Sequence, residues 1–185
     1  MTEEFFGDCL ILEDTRPLAW LPGPLAQGAE LAHLNADNLQ LLISESSIEE
    51  TRSLDALTEE SPALLHELQR LEYKLNILLR LTAELTMRHN AMPKPYHMRL
   101  SASGLEWSLD GPVTGSTGLL QLYINPSMPQ PILLPCKVES EVHRNSQRIS
   151  QLRFVGVSEP VTDALDKLIF RHHRRLIASS RQLPP

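Results

Sequence analysis

Residues 61–90 read SPALLHELQRLEYKLNILLRLTAELTMRHN, and no other stretch narrows the possible folds as sharply. Leu64, Leu68, Leu71, Leu75, Leu78, Thr82 and Leu85 succeed one another at alternating spacings of 4 and 3. That is the heptad repeat of a coiled coil, with Leu64, Leu71, Leu78 and Leu85 at d and Leu68, Leu75 and Thr82 at a. Ser61 is placed to cap the helix and Pro62 to open it. A helix of about thirty residues spans about 45 Å, more than a small domain needs for packing. Leu65, Leu79 and Leu81 sit at e and g and widen the stripe, as in a bundle of more than two helices. The alternative is one long helix lying against its own domain, but an unbroken a/d seam of this length is hard to cover within one chain. The seam therefore predicts a homo-oligomer. In a parallel, in-register pair Glu67 at g would face Glu72 at e of the partner, so an antiparallel or staggered arrangement is favoured.

Past Pro93 the apolar period falls from 3.5 to 2. PYHMRL, GLEWSL, TGLLQLYI, PILLPCKVESEVH and RISQLRFVGV read as five or six short strands, separated by the turn sequences DGP, NPSMPQP and HRNSQ. With no helix between them they predict an antiparallel barrel or sandwich. In GLEWSL, Leu105, Trp107 and Leu109 are expected on one face and Glu106 and Ser108 on the other. A closing helix, SEPVTDALDKLIFRHHRRLIASS, carries Pro160 in its first turn and Val161, Leu165, Leu168, Ile169 and Leu176 on its apolar face. Residues 1–60 are harder to read. The prolines of RPLAWLPGPL force extended or turning backbone. Leu39, Leu42 and Ile43 then share a helical face, which Ser44, Ser46 and Ser47 are expected to break or to follow with a new cap. The chain thus divides into a partly helical segment 1–60, a long oligomerisation helix 61–92 and a barrel with a carboxy-terminal helix 93–185. Residues 1–60 either pack on the barrel or carry a partner surface through Phe5, Phe6 and Trp20.

Several function classes are disfavoured by what the chain contains. A formal charge of −6 opposes general nucleic-acid binding. MTEEFFGDCL carries acids where a signal peptide carries Lys or Arg. No apolar run approaches the roughly 18 residues of a membrane span. Cys9 and Cys136 stand far apart without a CxxC, which reads as a reduced pair in a cytoplasmic protein. The seven histidines have no metal-ligand spacing, so no metal and no cofactor is expected. GxSxG, GxxxxGK[ST] and GxGxxG are absent, and nothing assembles a nucleophile, base and orienting group; an enzyme is not expected.

RLSASG, Arg99 to Gly104, is similar to the [D/N]xSxxG strand motif of the PilZ family. TGLLQLYINPSMPQPILLPCKV and RFVGV look like the barrel strands that follow it, and RLEYKLNILLRLTAEL resembles the heptad helix of the atypical, tetramer-forming branch found in xanthomonads. The resemblance implies an α+β fold: a six-stranded antiparallel barrel with a long amino-terminal coiled-coil helix and a carboxy-terminal helix. It also implies a tetramer and a role in cyclic di-GMP signalling, since family members are typically receptors for that messenger. Ser101 falls on the motif serine and Gly104 on the motif glycine, with Ser103 beside it. Arg99, however, occupies the place of an Asp or Asn that accepts hydrogen bonds from guanine, and arginine has no acceptor. The family's RxxxR clamp ahead of the barrel is missing, since TMRHNAMPKPYHM offers only Arg88 and Lys94.

The expected function is that of a non-enzymatic signalling adaptor in cyclic di-GMP-linked motility, biofilm or virulence. It would be oligomeric, act on an unidentified protein partner, and lack the usual messenger site. The alternative is an atypical receptor using Arg99, Ser101 and the RHHRR cluster of Arg171, Arg174 and Arg175, against which stands the ordinary preference of cations for a helix carboxy-terminal end. A barrel for single-stranded nucleic acid, stacking bases on Tyr96, Trp107, Tyr123 and Phe154, is a further alternative, as is a pure assembly protein.

Overall fold

The computed structural model describes residues 3–7, 9–51, 92–125 and 130–180, together with positions 66–68, 70–71, 73–75, 77–78 and 81–82, all of which are helical. In chain order the elements are α1 (Glu3–Phe6), β1 (Leu12–Pro22), α2 (Gly28–Thr51), those heptad positions, β2 (Pro95–Leu100), β3 (Gly104–Ser108), β4 (Thr117–Leu122), β5 (Ile132–Arg144), β6 (Gln147–Phe154) and α3 (Glu159–Ser180). The strands close into an antiparallel barrel in the order β1-β2-β3-β6-β5-β4. Asn145 and Ser146, at φ 51° and 63°, make the tight turn between β5 and β6.

Inward side chains of alternate strand positions fill the barrel: Met98, Leu100, Leu105, Trp107, Leu120, Leu122, Leu134, Val138 and Leu152 are buried. Val161, Leu165, Leu168 and Ile169 of α3 join the same core, as their helical spacing predicts, and Leu42 of α2 joins it too. Leu176 is among the residues whose side chains are not described. Asn38 fixes α2 to the barrel: its Nδ2 donates to the Leu133 carbonyl at 2.7 Å and its Oδ1 accepts from the Leu133 N–H at 2.9 Å.

Three expectations are corrected. The barrel is not confined to 93–185, because its sixth strand is Leu12–Pro22, from the segment read only as extended or turning. That strand pairs with β2 up to Pro17 and with β4 from Leu18 onward. Pro17 lacks an N–H for a ladder and stands where the partner changes, which masks the alternation a strand normally shows. The serines do not end the helix, since α2 continues to Thr51. Ser44 Oγ donates to the Gln40 carbonyl at 2.8 Å, a bond made inside the helix. Finally, Leu109 leaves the face of Leu105 and Trp107, because β3 ends at Ser108 and Leu109 turns outward at φ 74°. Glu106 does point away from the barrel interior, yet it is 1% exposed.

The heptad positions behave oppositely to the core. Leu68, Leu71, Leu75 and Leu78 are 54%, 58%, 57% and 61% exposed in the single chain. Thr82 is exposed as well, its Oγ1 donating to the Leu78 carbonyl. Leu64 and Leu85, with Leu65, Glu72 and Leu79, lie outside the described residues. No helix among the described residues is long and apolar enough to cross a membrane.

Candidate functional site

The turn from β2 to β3 is built by its own serines. Ser101 N donates to the Gly104 carbonyl at 2.9 Å, and Ser101 Oγ donates to the same oxygen at 3.3 Å. Ser103 N donates back to Ser101 Oγ at 3.2 Å, and the two hydroxyls stand 3.2 Å apart. Ser101 is fully buried, so its hydroxyl closes the turn instead of facing outward. The Ser103 carbonyl accepts from Phe154 N at 3.0 Å, which ties the turn to β6. Gly104 answers to a close approach: a Cβ there would lie 2.6 Å from the Leu152 carbonyl oxygen and 3.2 Å from Phe5 Cζ.

Strand register then assembles a polar row on the outside of the barrel. Arg99 lies opposite Glu106, and Glu106 opposite Gln151. Arg99 Nη1 donates to Glu106 Oε2 at 2.9 Å, Arg144 Nη1 approaches the same oxygen at 3.4 Å, and Gln151 Nε2 donates to Oε1 at 3.0 Å. The Gln151 amide oxygen accepts from Ser140. A carboxylate removed from water needs such partners, and Glu106 has three.

The amino-terminal α1 covers this row. The Arg99 guanidinium lies over the Phe6 ring at 5.4 Å, and that of Arg153 over the Phe5 ring at 4.4 Å. Arg153 Nη2 donates to the Phe5 carbonyl at 3.0 Å, and its Nη1 to Ser103 Oγ at 3.3 Å. Glu139 Oε2 also meets Arg153 Nη2 at 3.2 Å. Phe6 is 3% exposed but stands outside the barrel core. Burying one such ring contributes about 2 kcal/mol, and each guanidinium–ring contact about 0.5–1 kcal/mol. Ordering the backbone costs about 1 kcal/mol per residue, and a helix of four residues cannot hold itself. For this arm the gain from ring contacts and the cost of ordering are thus of the same order. Of the two roles left open for residues 1–60, Phe5 and Phe6 take packing on the barrel.

Ser101, Ser103, Gly104 and Arg99 thus come together on one turn and its flanking strands. Their hydrogen bonds and ion pairs to Glu106, Arg153 and one another involve no residue of the RHHRR cluster, whose His172 Nε2 stands 3.8 Å from Asp14 Oδ2 of β1. Arg171 lines an open groove of about 530 Å³ between α2 and α3, with Glu159, Asp163 and Lys167 on the same wall. Glu159 and Asp163 there balance Lys167 and Arg171, so the groove offers no net positive charge to an anion. Arg174 and Arg175 are exposed. Lys94 is exposed too, and Arg88 lies outside the described residues. Of the aromatics considered for stacking bases, Trp107 is in the core with Tyr96 packed on it at 5.3 Å. Cys9 and Cys136 are free thiols, and burial pushes the Cys136 thiol far up.

Sequence reasoning did not find Glu106, Arg144, Gln151 and Arg153 as parts of this site. Period-2 alternation puts Glu106 on the outer face, but the pairing of β3 with β6, not β4, is a long-range fact that local pattern does not carry.

A family model described as "Atypical PilZ domain, cyclic di-GMP receptor" matches residues 42–182. Among solved structures, a pathogenic protein from Xanthomonas campestris is 26% identical with a TM-score of 0.77, covering 95% of this chain and 94% of its own. It is described as a tetrameric PilZ domain self-assembled through a helical bundle. YcgR from Escherichia coli in complex with c-di-GMP is 17% identical over 49% of this chain and 40% of its own, with a TM-score of 0.42. The YcgR PilZ domain with c-di-GMP is 16% identical over 48% of this chain and 79% of its own, with a TM-score of 0.40. No curated protein matches the chain.

Proposed function

The chain belongs to the atypical PilZ family, and we propose that it is a non-enzymatic, cytoplasmic adaptor in cyclic di-GMP-linked signalling, assembled as a tetramer through residues 61–90. In this reading it acts on a protein partner without using the family's ordinary mode of messenger recognition. The observation that carries the reading is the state of the motif face. Arg99, which replaces the guanine acceptor, is spent on Glu106 at 2.9 Å and covered by Phe6. Ser101 is spent on its own turn, and Ser103 holds Arg153.

The tetramer is supported by the exposed leucines of the heptad, which water does not tolerate as a continuous stripe. The X. campestris relative, alike over nearly the whole chain, self-assembles through a helical bundle. Calorimetric titration of the intact chain with cyclic di-GMP tests the adaptor reading. No heat at micromolar protein is expected. Saturable heat with micromolar affinity would replace the adaptor with a receptor.

A further inference from the structure

The face that carries Arg99, Ser103 and Gly104 is occupied by the chain's own Phe5 and Phe6. The two rings meet edge to face with centroids 4.8 Å apart, each against a different guanidinium. We propose that this arm is a displaceable plug over a base-stacking site, and that a planar aromatic base carrying phosphate competes with Phe5 and Phe6 for Arg99 and Arg153. The proposal rests on the reading that the intact chain is silent toward cyclic di-GMP, and it adds what keeps the face silent.

Geometry and charge support it together. A guanidinium that lies over a phenyl ring is equally suited to the face of a purine, which presents a larger flat surface. Gly104, having no Cβ, keeps the floor of the site low enough for Phe5 Cζ to approach. Arg99, Arg144 and Arg153 share the carboxylates of Glu106 and Glu139, three cations to two anions on this outer face of the barrel. Arg153 Nη2, now donating to the Phe5 carbonyl, would donate to a phosphate oxygen once the arm leaves. This stacking on guanidinium planes is distinct from edge recognition by an acid or amide, which Arg99 excludes.

The arm is also built to leave. It is a four-residue helix, and Phe6 makes no part of the barrel core. Gly7 follows at φ 61° with open space around it, and Cys9 and Leu10 beyond it are exposed. Lifting α1 therefore breaks no ladder hydrogen bond of the barrel.

The test titrates the intact chain and the Phe5→Ala/Phe6→Ala variant with cyclic di-GMP, and with GMP as a single-base probe. Thermal melting checks that both are folded. Phe5→Ala alone, which leaves the buried Phe6 in place, serves as the milder variant. The double variant should bind cyclic di-GMP at least about tenfold more tightly than the intact chain, because the competent state no longer has to be opened first. Phe5→Ala should show a smaller gain, and adding Arg153→Ala should abolish the gain. A double variant that binds no better than the intact chain overturns the plug, and so does a gain that survives Arg153→Ala. The two readings fail separately. If neither protein binds, the plug falls and the adaptor stands; if both bind equally tightly, both fall.

Discussion

Leu152 and Leu78 are the same side chain in opposite circumstances. Leu152, in β6, is 0% exposed; Leu78, on the heptad, is 61% exposed. The barrel finds every partner it needs within one chain, because six strands closed on themselves leave an interior that α3 can stopper. A single helix has no interior. Its leucine stripe is as regular as the barrel's alternation, but the surface that would cover it is not supplied by the described part of the chain. One region is covered within a single chain, and the other leaves its apolar stripe exposed there.

That contrast can be broken at either end. The largest effect is expected from Leu71→Asp with Leu78→Asp, which puts charge into the seam. Sedimentation should show the assembly falling to a single 20.8 kDa chain while circular dichroism keeps its strand signal. An unchanged particle size would show that the seam is not the interface. In the barrel, Leu152→Ala should cost about 2–5 kcal/mol in denaturant unfolding and leave the assembly state of the folded protein alone. A loss below about 1 kcal/mol would mean the core is not closed around it.

Smaller effects sharpen the account of the outer face. Glu106→Ala leaves Arg99, beneath Phe6, and Arg144 without their carboxylate. Both arginines keep some contact with water, so the expected loss is about 2 kcal/mol, less than for a fully buried pair. Glu106→Gln should recover part of it, and equal losses in both variants would show that charge is irrelevant there. Asn38→Ala removes both hydrogen bonds to Leu133 and should cost about 1–2 kcal/mol. Its hydrogen-exchange signature should be confined to α2 and β5; protection lost uniformly across the barrel would contradict the local tether.

The smallest effect is a pH dependence at Glu141. The Thr114 N–H, donating at 2.8 Å, and Arg148 at 3.5 Å hold its carboxyl below the usual glutamate range. A pKa lowered in the folded state gives stability that is present above the unfolded value and lost as pH falls through the folded one. The melting-temperature advantage of the natural chain over Glu141→Gln should therefore shrink on acidification from about pH 7 to about pH 3. An advantage constant over that range would remove Glu141 from the linkage.

What the sequence displayed and what it concealed follow from the same contrast. The heptad and the alternation of GLEWS and TGLLQL are local periodicities, and each sets which side chains share a face without knowledge of the rest of the chain, as Leu120 and Leu122 share the barrel interior. Val161, Leu165, Leu168 and Ile169 were legible on the same ground, and all are buried. β1 was not, because Pro17 and its change of partner blur the pattern that marks a strand. The motif loop was visible as RLSASG, but the fate of its residues was not. Ser101 turns inward to its own loop, and Arg99 meets a glutamate seven residues on, brought across by strand pairing. Phe5 and Arg153 stand 148 residues apart in the chain, and only the closed barrel brings them into contact.

The central claim is that the exposed heptad leucines are covered by copies of this chain. Sedimentation velocity on the intact protein across a range of concentrations tests it most directly. The account predicts a discrete species at four times 20.8 kDa that persists on dilution into the micromolar range. A lone 20.8 kDa particle at the highest concentration would contradict it.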